Sequence, residues 1–141
     1  MKVENHIIPG DDQISAMMND PGPSGPIVMV NLLKFRDKAK YADGSNPHMS
    51  GRDAYALYGA GVVPLVAKHG GRMIFSGPTT FLMLGMVEDL WDQVALVEYP
   101  TRKALFEMSS SPEYQAIHHH RDAGLEGQLN IETTPDFMIS G

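Results

Sequence analysis

The sequence predicts an α+β fold in which helices cover one face of an antiparallel β-sheet. Two runs of apolar and β-branched residues, Ile27–Phe35 and Gln93–Tyr99, are typical of buried strands. Between them, residues 50–71 carry apolar side chains at helical spacing, with capping residues at the start and two glycines at the end. A further helix and strand follow, and this order of elements is typical of α+β domains.

The strand over Ile27–Phe35 contains a polar residue at its centre. Because side chains alternate between the two faces of a strand, Asn31 shares its face with four large apolar side chains. These are Ile27, Met29, Leu33 and Phe35. A buried amide without hydrogen-bond partners costs about 1–3 kcal/mol. Asn31 therefore marks either a polar network or a pocket.

The N-terminal segment and the first long loop lie on either side of this strand. Residues 1–25 are predicted to form an accessory arm with a short helix, and residues 26–141 a single domain. A polar loop over residues 36–49 follows the strand. Loops of this length are often lids or binding loops, although mobile surface loops are at least as common, so both interpretations stay open.

Strands are also predicted after the central helix. Arg72 begins a strand that runs to Phe75, and residues 76–78 form a turn or a bulge. Residues 79–87 are predicted to form a second strand or a bent extension of the first. Residues 88–92 connect this region to the strongly apolar strand Gln93–Tyr99.

A broken helix and an edge strand complete the predicted fold. The helix begins at residues 100–101, breaks at residues 109–112, and restarts with Ser111 as cap and Pro112 at the first helical position. It continues to about residue 123, and residues 128–132 form a last edge strand. The complete order of elements predicts a ferredoxin-like antiparallel sheet with helices on one face.

Both faces of the first strand are apolar, although helices cover only one face of a ferredoxin-like sheet. The second face carries Val28, Val30 and Leu32, and it therefore needs another cover. Two sheets packed face to face would supply that cover. We expect a homodimer whose sheets form a closed or half-closed α+β barrel.

Composition narrows the classes of function. The chain has 141 residues, a formal net charge of −6 and no cysteine, which excludes thiol catalysis and argues against nucleic acid as a partner. No apolar run reaches the length of a membrane span, and the N-terminus lacks the apolar segment of a signal peptide. We expect a cytoplasmic protein with no membrane partner.

Several segments resemble the domain of unknown function family 1330, part of the dimeric α+β barrel superfamily. The longest are Pro-Ile-Val-Met-Val-Asn-Leu-Leu-Lys-Phe-Arg over residues 26–36 and Ser-Gly-Arg-Asp-Ala-Tyr over residues 50–55. Shorter ones lie at residues 70–72, 91–92, 97–100, 111–114 and 120–121. The resemblance implies the ferredoxin-like fold and the sheet-to-sheet dimer, but no settled activity. Related branches include cofactor-independent monooxygenases, lactone isomerases and haem proteins, and a shared fold is only an analogy for function.

Asn31 and Glu98 are candidates for the polar part of a ligand site. They belong to neighbouring strands, and Glu98 shares a face with Asn31 if its own alternation class points inward. Desolvation in an apolar lumen raises the pKa of carboxyl groups, which suits a general acid or base near neutral pH. A structural hydrogen bond between the two side chains, or an exposed Glu98 at a strand end, explains the pair about equally well.

The last helix offers two further candidates. Arg121 can bind a carboxylate or enolate bidentately, and His120 can titrate near physiological pH. A salt bridge from Arg121 to the sheet, for example to Glu98, is the simpler alternative. No metal site is expected in the run of histidines over residues 118–120, because consecutive helix positions point about 100° apart. Only His118 and Asp122, four residues apart, share a helix face.

Two tyrosines and an arginine are further candidates for lining the site. Tyr55 lies off the apolar stripe of its helix and either faces solvent or reaches the pocket mouth. Tyr58 lies on the stripe and is most simply a core residue with its hydroxyl satisfied. Arg72 begins the second strand. Three methionines could form a pliable apolar wall: Met29, Met73 and Met83.

The predicted function is binding of a small, partly apolar molecule of carboxylate or enol type in the barrel lumen. The predicted ligand-binding residues are Asn31, Tyr55, Arg72, Glu98, His120 and Arg121. Cofactor-independent proton transfer or oxygenation is the chemistry that fits best, with Glu98 or His120 as the base and no cofactor. The alternative is a non-catalytic binding or assembly protein whose inner sheet face serves only dimerisation. Haem binding would require a histidine aimed into the lumen.

Overall fold

The structure, a computed structural model, describes residues 3–138 and contains one four-stranded sheet within them. Its elements in chain order are α1 (Asp11–Asn19), β1 (Ile27–Phe35), α2 (Gly51–Lys68), β2 (Arg72–Pro78), β3 (Gln93–Tyr99), α3 (Arg102–Ser109), α4 (Pro112–Gln115), α5 (His118–Gly124) and β4 (Leu125–Thr133). The strand order is β2-β3-β1-β4, and every neighbouring pair is antiparallel. This is the ferredoxin-like α+β arrangement, so the fold-class prediction is confirmed.

One face of the sheet packs under the helices. Asn31 pairs with Ala95 on β3 and with Asn130 on β4, so these three residues share that face. The hydrophobic core lies beside them, where β1 and β3 meet α2 and α3. Its members include Ile27, Met29, Val97, Tyr99, Tyr58 and Met108. The core therefore surrounds the polar centre of β1 on the covered side of the sheet.

The opposite face of the sheet carries apolar rows that the helices do not reach. Val30 pairs with Leu96 and with Ile131, and Leu96 pairs with Phe75, so one apolar row crosses all four strands. The Phe75 side chain is 53% exposed. We call this the free face. The expectation that both faces of β1 are apolar is confirmed.

The second strand differs from its prediction. β2 continues through Pro78, past the turn or bulge expected at residues 76–78, and its register shift lies between Met73 and Phe75 instead. Residues 79–87 form no strand. Both edges of β3 are occupied by β2 and β1, so residues 79–87 cannot pair beside β3, and among the described residues the outer edge of β2 stays unpaired.

Residues 79–92 form an apolar arm between β2 and β3. The amide of Thr79 donates to the carbonyl of Asp92 at 2.9 Å and closes the base of the arm. Several large apolar side chains of the arm are exposed, and Met86 at 96% is the extreme case. They include Phe81, Met83, Leu84 and Val87. Among the residues that the structure describes, nothing covers the arm, which is therefore an exposed apolar surface.

The helices begin where their capping residues predict. Ser50 accepts a hydrogen bond from the amide of Asp53 at the start of α2, and Ser111 does the same for Tyr114 at the start of α4. The segment predicted as one helix to residue 123 is two short helices, α4 and α5, that are interrupted at residues 116–117. No helix within residues 3–138 is long and apolar enough to cross a membrane.

A close backbone contact fixes α5 against α2. A Cβ atom added to Gly51 would lie 2.2 Å from the carbonyl oxygen of Arg36 and 2.7 Å from that of Gly124. Only glycine allows such an approach. Because Gly124 ends α5, this contact sets the height of α5 and of its side chains above the sheet.

Candidate functional site

A cavity of about 390 Å³ lies between the sheet and the helices. Its sheet side includes Met29 and Val97, and its helix side includes Tyr58 and Met108. All four side chains belong to the hydrophobic core, so most of the cavity wall is apolar. The cavity is on the same side of the sheet as Asn31, beneath the helices, and not on the free face.

A relay of polar side chains forms one end of this cavity. Arg121 on α5 donates from Nη2 to Oε1 of Gln128 at 2.7 Å. Gln128 on β4 donates from Nε2 to Oδ1 of Asn31 at 2.7 Å. The amide nitrogen of Asn31 lies 3.3 Å from the carbonyl oxygen of Ala95. Asn31 therefore belongs to a polar network, as its position in an apolar strand predicts.

Arg121 is the largest positive group at the cavity, and its side chain is only 14% exposed. Besides Gln128, it donates from Nη1 to Oδ1 of Asp122 at 3.0 Å and from Nη2 to the carbonyl of Ile7. Within residues 3–138 these contacts use three of the five guanidinium N–H groups. Two N–H groups remain for a ligand.

A histidine and a carboxylate sit next to Arg121. His118 Nδ1 lies 2.8 Å from Oδ2 of Asp122, and both residues line the cavity. The His118 ring stacks on Tyr114, with centroids 6.3 Å apart and planes 14° from parallel. The spacing of four residues indicated the shared face, but His120 and not His118 was predicted as the proton acceptor. Among the described residues, no three His, Asp or Glu side chains cluster as metal ligands.

Tyrosines surround the apolar part of the cavity. The Tyr58 hydroxyl donates to that of Tyr114 at 3.3 Å, as expected for a core tyrosine with a satisfied hydroxyl. Burial raises the pKa of Tyr55 to about 12 and raises that of Tyr58 well above its usual value. These hydroxyls therefore stay protonated at neutral pH and can act as hydrogen-bond donors but not as bases.

The N-terminal segment lies at the mouth of the cavity. Ile7, Pro9 and Met17 line it, and the amide of Gln128 donates to the carbonyl of His6 at 2.9 Å. The sequence indicated only an accessory arm here, and the apolar residues before α1 were the one signal of a contact. The polar loop over residues 36–49 lies elsewhere.

That loop packs on the outer side of α2 and α5. Ala39 and Tyr41 form a small buried cluster with Ala54 and Ala123. None of these four residues lines the cavity. Of the two interpretations left open for the loop, the packed structure does not support a lid over this cavity.

Glu98 lies on the opposite face from Asn31, which corrects the expectation that the two share a site. Glu98 pairs with Val28, whereas the residues of β3 that face the helices are the alternate set Ala95, Val97 and Tyr99. The Nε of Arg72 lies 3.2 Å from Oε1 of Glu98 on the free face. The alternation class was assigned correctly, but its direction was wrong, and no Arg121–Glu98 salt bridge forms.

His120 also lies away from the cavity. Its Nδ1 is hydrogen-bonded to the Tyr41 hydroxyl at 2.6 Å, beneath the polar loop. Burial and the neighbouring His119 lower the pKa of His120. Neither predicted base, Glu98 or His120, therefore faces the cavity.

The structure thus divides the predicted site residues into two groups. Asn31, Tyr55 and Arg121 meet at the cavity, whereas Arg72, Glu98 and His120 do not. Of the methionines expected to form an apolar wall, Met29 and Met73 line the cavity, but Met83 lies on the apolar arm. Sequence reasoning missed Gln128 and His118, because nothing in the chain indicates that β4 and the start of α5 converge on Asn31.

Comparisons with known proteins agree on the fold and leave the chemistry open. The model of a protein family described as a domain of unknown function (DUF1330) matches residues 31–133. A crystal structure of a protein of unknown function from Rhodopseudomonas palustris is 31% identical, with a TM-score of 0.83, and the match covers 94% of this chain and 98% of that chain. No curated protein matches the chain.

Two more distant structures share the fold alone. A dimeric protein of unknown function and ferredoxin-like fold from Bacteroides fragilis is 15% identical, with a TM-score of 0.52 and coverage of 77% of this chain and 95% of that chain. A dimeric ferredoxin-like protein of unknown function from Thermobifida fusca is 12% identical, with a TM-score of 0.51 and coverage of 83% and 97%.

Proposed function

Because this chain belongs to the domain of unknown function family DUF1330, its function has to be inferred from its site, and we propose that it binds a small, partly apolar acid of carboxylate or enol type beneath its helices. The observation that carries the proposal is Arg121, a charged side chain 14% exposed at one end of an apolar cavity. A buried charge needs compensation, and an anionic ligand would supply it.

The relay behind Arg121 supports binding of an anion. Gln128 accepts from Arg121 through its oxygen, so its nitrogen is directed to Asn31. This arrangement holds the guanidinium in one orientation and lowers the entropy cost of binding an anionic group through its remaining N–H groups. Asp122 compensates part of the guanidinium charge. This offsets part of the cost of burying Arg121 before a ligand binds.

The rest of the cavity supports a small apolar body on the ligand. A volume of about 390 Å³ is at the low end of the range for ligand pockets. Met29 and Met108 offer adaptable apolar walls, and the Tyr55 hydroxyl is protonated and available as a donor. An aryl or short alkyl group attached to a carboxylate matches this combination.

Two arms of one binding experiment test the proposal. Isothermal titration of the wild type with 3-phenylpropanoate and with the neutral 3-phenylpropanamide should show the acid bound at least about tenfold more tightly, since a hydrogen bond to a charged group contributes roughly 1.5–3 kcal/mol. Arg121→Gln should remove most of that preference for the acid.

The control is an exposed arginine of the same chain. Arg52 lies over the ring of Phe35, 4.7 Å from its centroid, and outside the cavity. Arg52→Gln should leave the preference unchanged. Equal affinity of the wild type for the acid and the amide, or no binding of either, would refute acid binding at Arg121 without depending on how any variant folds.

We also infer that the free face and the apolar arm bind a second copy of this chain. The free face is apolar across all four strands, and the arm continues directly from β2 and β3. Two relatives of the same fold are described as dimeric. The sheets of two chains packed face to face would form the expected barrel. If no acid binds in the cavity, the alternative of an assembly protein, whose free face serves only dimerisation, is favoured.

A further inference from the structure

We propose that His118 and Asp122 act as a proton-accepting pair and that the protein catalyses keto–enol tautomerisation of a small 2-oxo acid with an apolar substituent. The inference rests on the proposed function, because the acid must first be held by Arg121. It goes beyond binding by naming the reaction, the base and the class of substrate. The two bases predicted from the sequence have no part in it.

The hydrogen bond between His118 and Asp122 sets the protonation of the imidazole ring. Nδ1 of His118 lies 2.8 Å from Oδ2 of Asp122, and a carboxylate can only accept. Nδ1 therefore carries the hydrogen, and Nε2 keeps its lone pair as a proton acceptor. His118 lines the cavity, and its side chain is 39% exposed, so it can exchange protons with solvent at the cavity mouth.

Arg121 is the second hydrogen-bond partner of the Asp122 carboxylate. It donates from Nη1 to Oδ1 of Asp122 at 3.0 Å, while Oδ2 faces His118. Asp122 thus lies between a permanent cation and a ring that becomes cationic when it takes a proton. An anionic substrate at Arg121 offsets the additional positive charge on His118. The group of charges is therefore suited to a proton that moves from substrate to His118 and back.

A donor for the developing enolate oxygen lines the same cavity. Within the part of the chain that the structure describes, the Tyr55 hydroxyl has no hydrogen-bond partner, and it stays protonated because burial raises its pKa to about 12. A protonated hydroxyl in an apolar site stabilises an oxyanion more strongly than one in water does. The cavity therefore combines three functions: Arg121 binds the anion, His118 accepts the proton and Tyr55 stabilises the oxyanion.

The substrate class follows from these functions. A substrate that matches these functions has a carboxylate for Arg121 and an acidified C–H bond for His118. It also has a hydrocarbon substituent that fits the apolar walls. A 2-oxo acid with an apolar group on C3 has all of these features. In the step, the C3–H bond breaks and the proton moves to Nε2 of His118. The bonding pair forms the C2–C3 double bond, the carbonyl π pair moves to oxygen, and this oxygen takes a proton from solvent while His118 returns its own proton to solvent. No oxidant or reductant is needed.

Deuterium exchange at C3 of phenylpyruvate tests the reaction. In D2O, proton NMR should show that the wild type accelerates loss of the C3 proton signal above the rate in buffer. Removing a general base costs roughly 10²–10⁴-fold, so His118→Gln should lose about a hundredfold or more of the acceleration. Its affinity for the non-enolisable 3-phenylpropanoate should change less than about twofold. Asp122→Asn, a positioning variant, should lower kcat with little change in KM.

His119→Gln is the matched control, because His119 is the exposed neighbour of His118 and does not line the cavity. It should exchange at the wild-type rate. Tight binding of 3-phenylpropanoate without accelerated exchange would overturn the tautomerase inference and leave acid binding intact. Absence of binding would overturn both. Wild-type exchange by His118→Gln would also contradict the assignment of His118.

Discussion

Asn31 supports the site through the hydrogen bond that Gln128 donates to its Oδ1 at 2.7 Å. Among the residues that the structure describes, Asn31 is the one polar residue that is classed as buried. Asn31→Ala would leave the Nε2 group of Gln128 without its acceptor beneath the helices. We expect the free energy of unfolding to fall by about 1–3 kcal/mol, as measured by urea denaturation.

Asn130 provides the control for this prediction, because it pairs with Asn31 across β1 and β4 and is exposed. Asn130→Ala should change the free energy of unfolding by no more than about 0.5 kcal/mol. Equal effects of the two substitutions would mean that the relay contributes nothing to stability. They would also remove the argument that the relay orients Arg121.

At the residue scale, the sequence identifies polar side chains in unusual positions. It is less informative about which of these side chains contact one another in the fold. Asn31 stands out because a polar side chain interrupts an apolar strand face. Glu98 stands out for a similar reason, but alternation assigns only a class and leaves its direction open. The direction depends on the packing of β3 against α2. His118 was hidden, because three consecutive histidines look alike until the start of α5 is fixed.

At the scale of elements, the free face and the apolar arm need a common explanation, and a second copy of the chain provides one. Phe75→Asp tests it, since Phe75 is 53% exposed in the single chain and a carboxylate there leaves the monomer core intact. In a dimer, the same carboxylate would be desolvated without a partner. We expect the wild type to sediment at the mass of two chains and Phe75→Asp at the mass of one.

Leu57 is a matched position, because it is an exposed apolar residue on α2 away from the free face. Leu57→Asp should sediment like the wild type. A wild type that sediments as a monomer at micromolar concentration, or a Phe75→Asp variant that remains dimeric, would contradict the proposed interface.

Capping residues and apolar periods predict most elements because they act locally. Ser50 and Ser111 mark helix starts, and β1 and β3 are visible as apolar runs. Residues 79–87 have the composition of a strand, yet they form an arm that pairs with neither edge strand of the sheet, β2 or β4. Composition alone therefore cannot separate a strand from an apolar surface intended for a partner.

At the scale of the whole molecule, the cavity is built from segments that are far apart in sequence. The N-terminal segment, the two central strands, α2, α3, α5 and β4 all contribute. Local patterns in a sequence contain no information about such convergence, which arises when α5 packs on α2 through Gly51 and Gly124. The proposed site therefore lies on the other side of the sheet from the expected lumen.

Methionine methyl groups report on the cavity and on the apolar arm in one experiment. Met29 and Met108 line the cavity, whereas Met83 and Met86 lie on the exposed apolar arm. In a protein labelled with ¹³C-methyl methionine and titrated with 3-phenylpropanoate, the account predicts saturable shifts of the Met29 and Met108 signals and none of the Met83 and Met86 signals. Shifts confined to Met83 and Met86, or no shift of Met29 and Met108 at high ligand concentration, would contradict binding beneath the helices.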